Sequence, residues 1–505
     1  MSTDSSNNPY DTPSAAGQQP GELDSSPNNK TGDDSATVAK LCIMMFLQFF
    51  AWGSWFATLG LAMTNGNLSD FIGGGYAAVP LAGIFAPLFL GLLADRLFSS
   101  EKVFGILMLI GGAIMCLMPS IAAQGPESGN LLVWLILAYM LCYMPTLGLG
   151  NTIAFTHISS ADKFPFIRVW GTIGWIVAGL LIGGTGWDGQ FMIFWLGAIS
   201  SLLLGVYCFF LPNTPPPLKG RPMDFRSVFM LDAFKLLADR NFLVFAVSST
   251  LICIPLAFYY GSTSQYLGQT GFAAPGATMT IGQMSEIIFM LMIPFLFRSL
   301  GVKVMILIGM ACWVLRYILF SYGAPEQTTW MLLLAVALHG ICYDFFFVTG
   351  FMYTDEKAPK EIRGQAQGLL VFLTQGVGMF FGYKIMAGGS LFGIPLNLTF
   401  GEYGQQVTSS GDYAEALKTA IGEKEPLSFT ETFGNMVSRD LPDALPAAQL
   451  ETTMGQWQNF WMSPAIMAGI VMVIFALLFW DGAKPKDKDD GNDKGKDKKA
   501  KDKKG

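Results

Sequence analysis

Apolar runs of about twenty residues recur along the whole chain, broken by short polar stretches. A run of that length crosses the hydrocarbon core of a bilayer as a helix, so each predicts a membrane-spanning segment. Twelve are read, at 38–63, 76–94, 103–123, 131–155, 166–186, 191–211, 242–261, 278–297, 302–322, 330–353, 368–388 and 457–480. The fold class expected is all-α integral membrane, with twelve transmembrane helices in two six-helix halves. Residues 37–211 form the N-terminal half and 241–480 the C-terminal half, joined by a linker over 212–240. The Pro-rich "LPNTPPPLKGRPMDF" opens that linker, and "SVFMLDAFKLLADR" predicts a surface helix closing it. Residues 391–456 make a connection far longer than usual, which is read as a variable extracytoplasmic insertion rather than a cap.

Composition agrees with a membrane protein. Hydrophobic residues are 52% of the chain and charged residues only 13%, about half the share of a soluble domain. Lys and Arg fix the orientation. Among the short loops they occur only after even-numbered segments, as in Lys102, Lys163, Arg240, Lys303 and Arg363. The loops at 65–75, 124–130, 187–190, 262–277 and 323–329 contain neither. By the positive-inside rule both termini are cytoplasmic. Residues 1–36 read as a disordered tail and 481–505 as a disordered Lys/Asp-rich tail. The seven cysteines all lie in apolar segments without metal-like spacing and read as packing residues.

Ionisable residues inside the apolar runs are the chemical candidates, since each costs about 2.5–3.5 kcal/mol to insert. Arg168 opens "RVWGTIGW", and Arg168, Thr172 and Trp175 fall on one helical face. That face offers a cation, a hydroxyl and a large ring. Gln283 and Glu286 lie one turn apart in the run "TIGQMSEIIFMLMIPFLF". They belong to the other half and face Arg168 across a central cavity in a two-half carrier. Asp344 sits in "HGICYDFFFVTG", where its charged form is poorly solvated and protonation comes easily. His339, five residues earlier, is either a proton relay or a satisfied histidine. Arg316 either pairs with Asp344 or sits near the outer interface.

The two-half pattern resembles the major facilitator superfamily. Gly91, Asp95 and Arg96 match part of its signature loop, while Phe98, Ser99 and Ser100 depart from it. The stretches "LQFFAWGSWFATLG", "YMPTLGLGNTIAF", "FPFIRVWGTIGW", "SEIIFMLMIPFL", "WVLRYILFSYG" and "YDFF", in this order, resemble the nucleoside:H+ symporter family of that superfamily. The resemblance implies proton-driven import of nucleosides by alternating access across the bacterial cytoplasmic (inner) membrane. It places substrate binding at Arg168, Thr172, Trp175, Gln283, Glu286 and Tyr343, and the Tyr260 ring, like that of Trp175, itself suggests stacking on a flat base. Proton coupling falls to Asp344, with Glu286, Arg316 and His339 as further candidates. A segment-seven glutamine and asparagine of the family align with Ala257 and Tyr260, so two amides are missing here. Tyr259, Tyr260, Ser262, Ser264 and Gln265 are the available substitutes.

"RVWGTIGW" also resembles the lactose-type symporters, which makes a proton-coupled sugar or glycoside symporter the alternative. A non-transporting membrane sensor is a third reading, opposed by tails without a signalling domain. No Ser/His/Asp set, zinc spacing or P-loop is present, so the chain does not read as an enzyme and no ATP, metal or cofactor is implied. The expected partners are a nucleoside, protons and the lipid bilayer, without nucleic acid, and the expected state is a monomer.

Overall fold

A computed structural model describes residues 34–89, 98–159, 163–216, 226, 229–359, 362–388, 390–391, 394–395, 407–422 and 426–480. The signature at Gly91, Asp95 and Arg96, both tails, part of the Pro-rich join and part of the long connection lie outside these residues. Among the described residues ten helices are long and apolar enough to cross a membrane.

The first half contains α1 (Ser35–Gly53), α2 (Leu59–Asn65), α3 (Ile72–Phe89), α4 (Ser100–Met115), α5 (Met118–Ala122), α6 (Gly129–His157), α7 (Phe164–Thr185) and α8 (Met192–Cys208). The second contains α9 (Arg240–Gln269), α10 (Pro275–Gly323), α11 (Thr329–Lys357), α12 (Arg363–Ala387), α13 (Ser410–Ile421), α14 (Phe429–Asn435) and α15 (Ala447–Leu478). A small hairpin, β1 (Ser390–Leu391) with β2 (Ile394–Pro395), follows α12.

Local chemistry sets the ends of these helices. Asp34 caps α1 by accepting from the Ala36 amide at 3.2 Å, and Asp239 caps α9 by accepting from Phe242 at 2.8 Å. Gly186, at φ 69°, ends α7 in the left-handed region that glycine adopts without strain. Gly301, at φ 71° and ψ 170°, divides α10 into two arms, 275–293 and 299–323.

Two sequence expectations change here. The first predicted segment is not one helix, because residues 54–58 form a turn between α1 and α2. Tyr76 holds that turn: its hydroxyl donates to the Phe56 carbonyl at 2.9 Å and accepts from the Gly60 amide at 3.1 Å. The predicted surface helix before α9 is a short 3-10 turn, Ala233–Ala238. Lys384 of α12 is fully buried and donates to the Gly388 carbonyl.

Within the first half α1 packs on α7 and α8, and α4 on α6 and α8. Within the second, α10 packs on α11 and α15, and α9 on α12 and α15. The halves meet through α7 with α10, α3 with α12, and α2 with α9. Lys40 Nζ donates to the Phe210 carbonyl at 3.0 Å, and the Trp480 amide to Asn241 Oδ1 at 3.4 Å. The start of α1, the end of α8, the start of α9 and the end of α15 therefore share one face, the terminal face.

The opposite, far face is where the halves close on each other. A side chain on Gly60 would strike the Gly261 backbone, and one on Gly179 would strike Thr280. Asp188 accepts from the Gly276 amide at 3.2 Å across the same seam. These glycines let backbones of opposite halves touch, as close-packed membrane helices require.

Candidate functional site

The site lies where α7 of the first half faces α10 and α11 of the second. Trp175 fills the space opened by Gly53, where a Cβ would meet its ring at 3.0 Å. Its ring centroid is 5.5 Å from Trp52 and 6.2 Å from Phe56, both edge-on. Phe56 then approaches Tyr260 of the second half at 5.8 Å. Tyr143 of α6 joins from behind, 5.6 Å from Trp52, and donates to the Gln48 carbonyl at 2.7 Å. The result is an aromatic wall that crosses from one half to the other. Trp52, Phe56 and Tyr143 were not singled out in the sequence, because an aromatic ring in an apolar run has the signature of ordinary packing.

Below this wall Arg168 lays its guanidinium over the Phe49 ring at 4.0 Å, a cation–π contact that holds the cation in place without a carboxylate. Arg168 and Glu286 lie within reach of each other's charge, and Tyr343 lies within reach of both. No ion pair joins Arg168 to Glu286. Gln283, one turn from Glu286, is buried, and its Oε1 has no hydrogen-bond partner. Thr172 is half-buried on the Arg168 face of α7. The predicted set Arg168, Trp175, Tyr260, Gln283, Glu286 and Tyr343 is thus brought to one region from both halves.

The position of Glu286 depends on Gly340. A Cβ on Gly340 would collide with the backbone of Ser285 and Glu286, and the Gly340 amide donates to Ser285 Oγ at 3.0 Å. This crossing seats α11 directly against the Glu286 turn. Four residues on, Asp344 begins a π-helical turn, Asp344–Val348, and is fully buried with neither carboxylate oxygen hydrogen-bonded. Such wide turns recur at functional sites.

Asp344 is near Glu286, and it is not paired with Arg316. Arg316 is fully buried, its three nitrogens have no hydrogen-bond partner, and its guanidinium rests on the Tyr259 ring at 4.1 Å. His339 stacks on the same Tyr259 ring at 5.0 Å and meets Tyr260 edge-on at 5.8 Å. Two groups of these residues meet where His339 lies 5.8 Å from Tyr343. Arg168, Glu286, Tyr343 and Asp344 make one, and Arg316, Tyr259 and His339 make the other.

Ala257 is fully buried where Gly382 of α12 crosses α9, so its small size serves helix packing. Gln265 is bonded to Ser410 at 2.5 Å and Ser262 contacts the Met386 sulfur at 3.3 Å. Of the substitutes for the missing amides, Tyr259 and Tyr260 are the ones beside the aromatic wall. Trp175, Tyr260 and Gln283 line, with Thr58, Gly179 and Thr280, a cavity of about 10 Å³, room for about one water. A wider cavity of about 720 Å³ lies at the far face, lined by Asn65, Trp187, Gln269 and Leu417.

A helical bundle in two halves, with opposite charges contributed by each half to a buried central region, defines a membrane carrier. Residues 35–393 match the model of the family described as nucleoside H+ symporter, and the chain belongs to that family. It is 42% identical over 360 residues to YegT of Escherichia coli (strain K12), covering 69% of this chain and 83% of that protein. It is 32% identical to the nucleoside permease NupG of the same organism, covering 68% and 85%. A crystal structure of the nucleoside transporter NupG superposes with a TM-score of 0.66 at 26% identity, covering 87% of this chain and 99% of that one. The family consists of transporters and not enzymes, and the sugar-symporter alternative is not favoured.

Proposed function

We propose that the chain imports nucleosides into the cell across the bacterial inner membrane, driven by protons and needing no cofactor. The observation that carries this reading is the unclosed pair Arg168 and Glu286, from opposite halves, below the wall formed by Trp52, Trp175 and Tyr260. A ribose presents paired hydroxyls, and a carboxylate accepts from two hydroxyls at once. A base presents a flat face suited to stacking on Trp175 or Tyr260. Gln283, with its unpartnered carbonyl, supplies a further acceptor. Thr172 and Tyr343 complete the polar lining, and membership of the nucleoside symporter family supports the same substrate class.

In this reading the twelve spans are the ten long apolar helices together with Ile72–Phe89 and Met192–Cys208. The terminal face is cytoplasmic, because the short loops there carry Lys and Arg and those of the far face do not. The halves then pack tightly outside and the conformation faces inward. Asp344 takes up and releases the coupling proton, with Glu286 beside it. Arg316 and His339 set the charge around Tyr259. The carrier works as a monomer in the bilayer, with halves at 37–211 and 241–480 rocking about the site.

The test is a competition panel in proteoliposomes under an imposed proton gradient, with nucleosides, free bases and disaccharides. Nucleosides are expected to compete best. Competition by disaccharides without competition by nucleosides would overturn the reading.

A further inference from the structure

The long connection between α12 and α15 begins at the very end of the family match and is not a loose insertion. Its described part is bound to the far face of the second half by many polar contacts. Gln269 Nε2 donates to the Ser410 carbonyl at 3.0 Å, and Tyr413 Oη donates to the Gln269 carbonyl at 3.1 Å. The Ala273 amide donates to Ser438 at 3.2 Å and the Asp440 amide to Gly271 at 2.9 Å, a short bridge between chain segments. Thr278 Oγ1 donates to the Met436 carbonyl at 2.7 Å.

The same segment also reaches the first half, where α14 packs on α7 and α13 touches α2. The Leu427 amide donates to the Gly184 carbonyl of α7 at 2.7 Å. Thr432 lies against Gly184, where any side chain would collide with it. Met436 closes an apolar cluster with Ile176 and Leu180 of α7 and Ala274 and Ala277 of the second half. One backbone hydrogen bond, the Thr432 contact and an apolar cluster face α7, against several hydrogen bonds on the other side, among them Arg439 Nη1 donating to the Thr270 carbonyl at 3.1 Å.

We propose that residues 427–440, anchored with α13 on the second half, form an outer clasp. It rides with the second half and releases α7 at Gly184 each time the carrier opens outward. The clasp holds the inward-facing state closed outside, and its grip on α7 sets how readily the outward state is reached. This rests on the alternating-access reading above.

The clasp is tested with Gly184→Cys/Thr432→Cys. A Cβ on Gly184 would stand 3.4 Å from the Thr432 Cβ, close to the separation a disulfide spans. Uptake of labelled adenosine and uridine is measured in proteoliposomes before oxidation, after it, and after reduction. Oxidation is expected to lower uptake by about tenfold or more, with recovery on reduction and unchanged nucleoside binding to the oxidised protein in detergent. Full cross-linking with unchanged uptake would overturn the clasp.

A second variant covers the case in which the cysteine pair does not transport even when reduced. Thr432→Ala/Met436→Ala weakens the grip, so a cysteine at the interhalf position Thr280 should react with an impermeant maleimide from outside about threefold faster than in Thr280→Cys alone. Equal or slower reaction would overturn the clasp. Wild-type protein that transports neither nucleoside overturns the carrier reading and the clasp with it, whereas an inert cross-link overturns the clasp alone.

Discussion

Arg168 and Glu286 are held in the same region without closing on each other, and that decides what their removal does. Breaking a closed buried pair costs about 3–5 kcal/mol of folding stability. Here no ion pair joins the two and Arg168 rests on Phe49, so neutral replacement breaks no closed pair. Arg168→Gln and Glu286→Gln are therefore expected to fold normally by thermal unfolding. Each should lose a charged hydrogen bond to ligand worth about 1.5–3 kcal/mol, which is roughly ten- to a hundredfold in Kd. Nucleoside Kd values within twofold of wild type would reduce both residues to scaffolding. Asp344 differs, since both its oxygens are buried without partners. Asp344→Asn fixes a neutral side chain there and should keep nucleoside counterflow while losing accumulation driven by a pH step. Accumulation by that variant would move coupling to Glu286. These residues were legible in the sequence because an ionisable group in an apolar run stands out energetically. Trp52, Phe56 and Tyr143 were not, since their role appears only when α1, α6 and α7 are packed together. Nor does the sequence tell that Arg316 rests on Tyr259 rather than on Asp344.

At the scale of elements, the helices that carry the site are positioned by glycines at their crossings. Gly340 lets α11 touch the backbone of α10 at Ser285 and Glu286, and Gly53 receives the Trp175 ring. Gly340→Val would force the two helices apart at the one place that sets the Glu286 turn. Overpacking of this kind costs about 1–3 kcal/mol. The expected outcome is a lower Tm together with weaker nucleoside binding, measured on purified protein in detergent. Unchanged binding would mean that Glu286 is positioned from elsewhere. Helix identity was readable from apolar length for all of these elements. The break after Gly53 was not, because the mainly apolar 38–63 run continues past it and the turn is held by Tyr76 from another helix. The π-helical turn at Asp344 was likewise invisible, since its apolar neighbours suit an ordinary α-helix equally well.

For the whole molecule, the two-half plan followed from the spacing of the apolar runs and the linker between them. The docking of residues 407–422 and 426–440 did not, because many of its contacts use backbone carbonyls and amides and the rest join common polar or apolar side chains far apart in the chain, none of which carries a sequence signal. The assembled picture is a carrier closed on its far face, with a charged aromatic site between halves and a buried carboxylate beside it. Its central claim is that proton flow and nucleoside flow are one process at this site. The most direct measurement is accumulation of labelled adenosine and uridine by proteoliposomes, with the pH gradient imposed, reversed or abolished by a protonophore. Uptake above equilibrium with an acidic exterior, lost when the gradient collapses and accompanied by proton entry, is the result expected. Nucleoside flux indifferent to the gradient, or proton entry elicited by a disaccharide and not by a nucleoside, would contradict it.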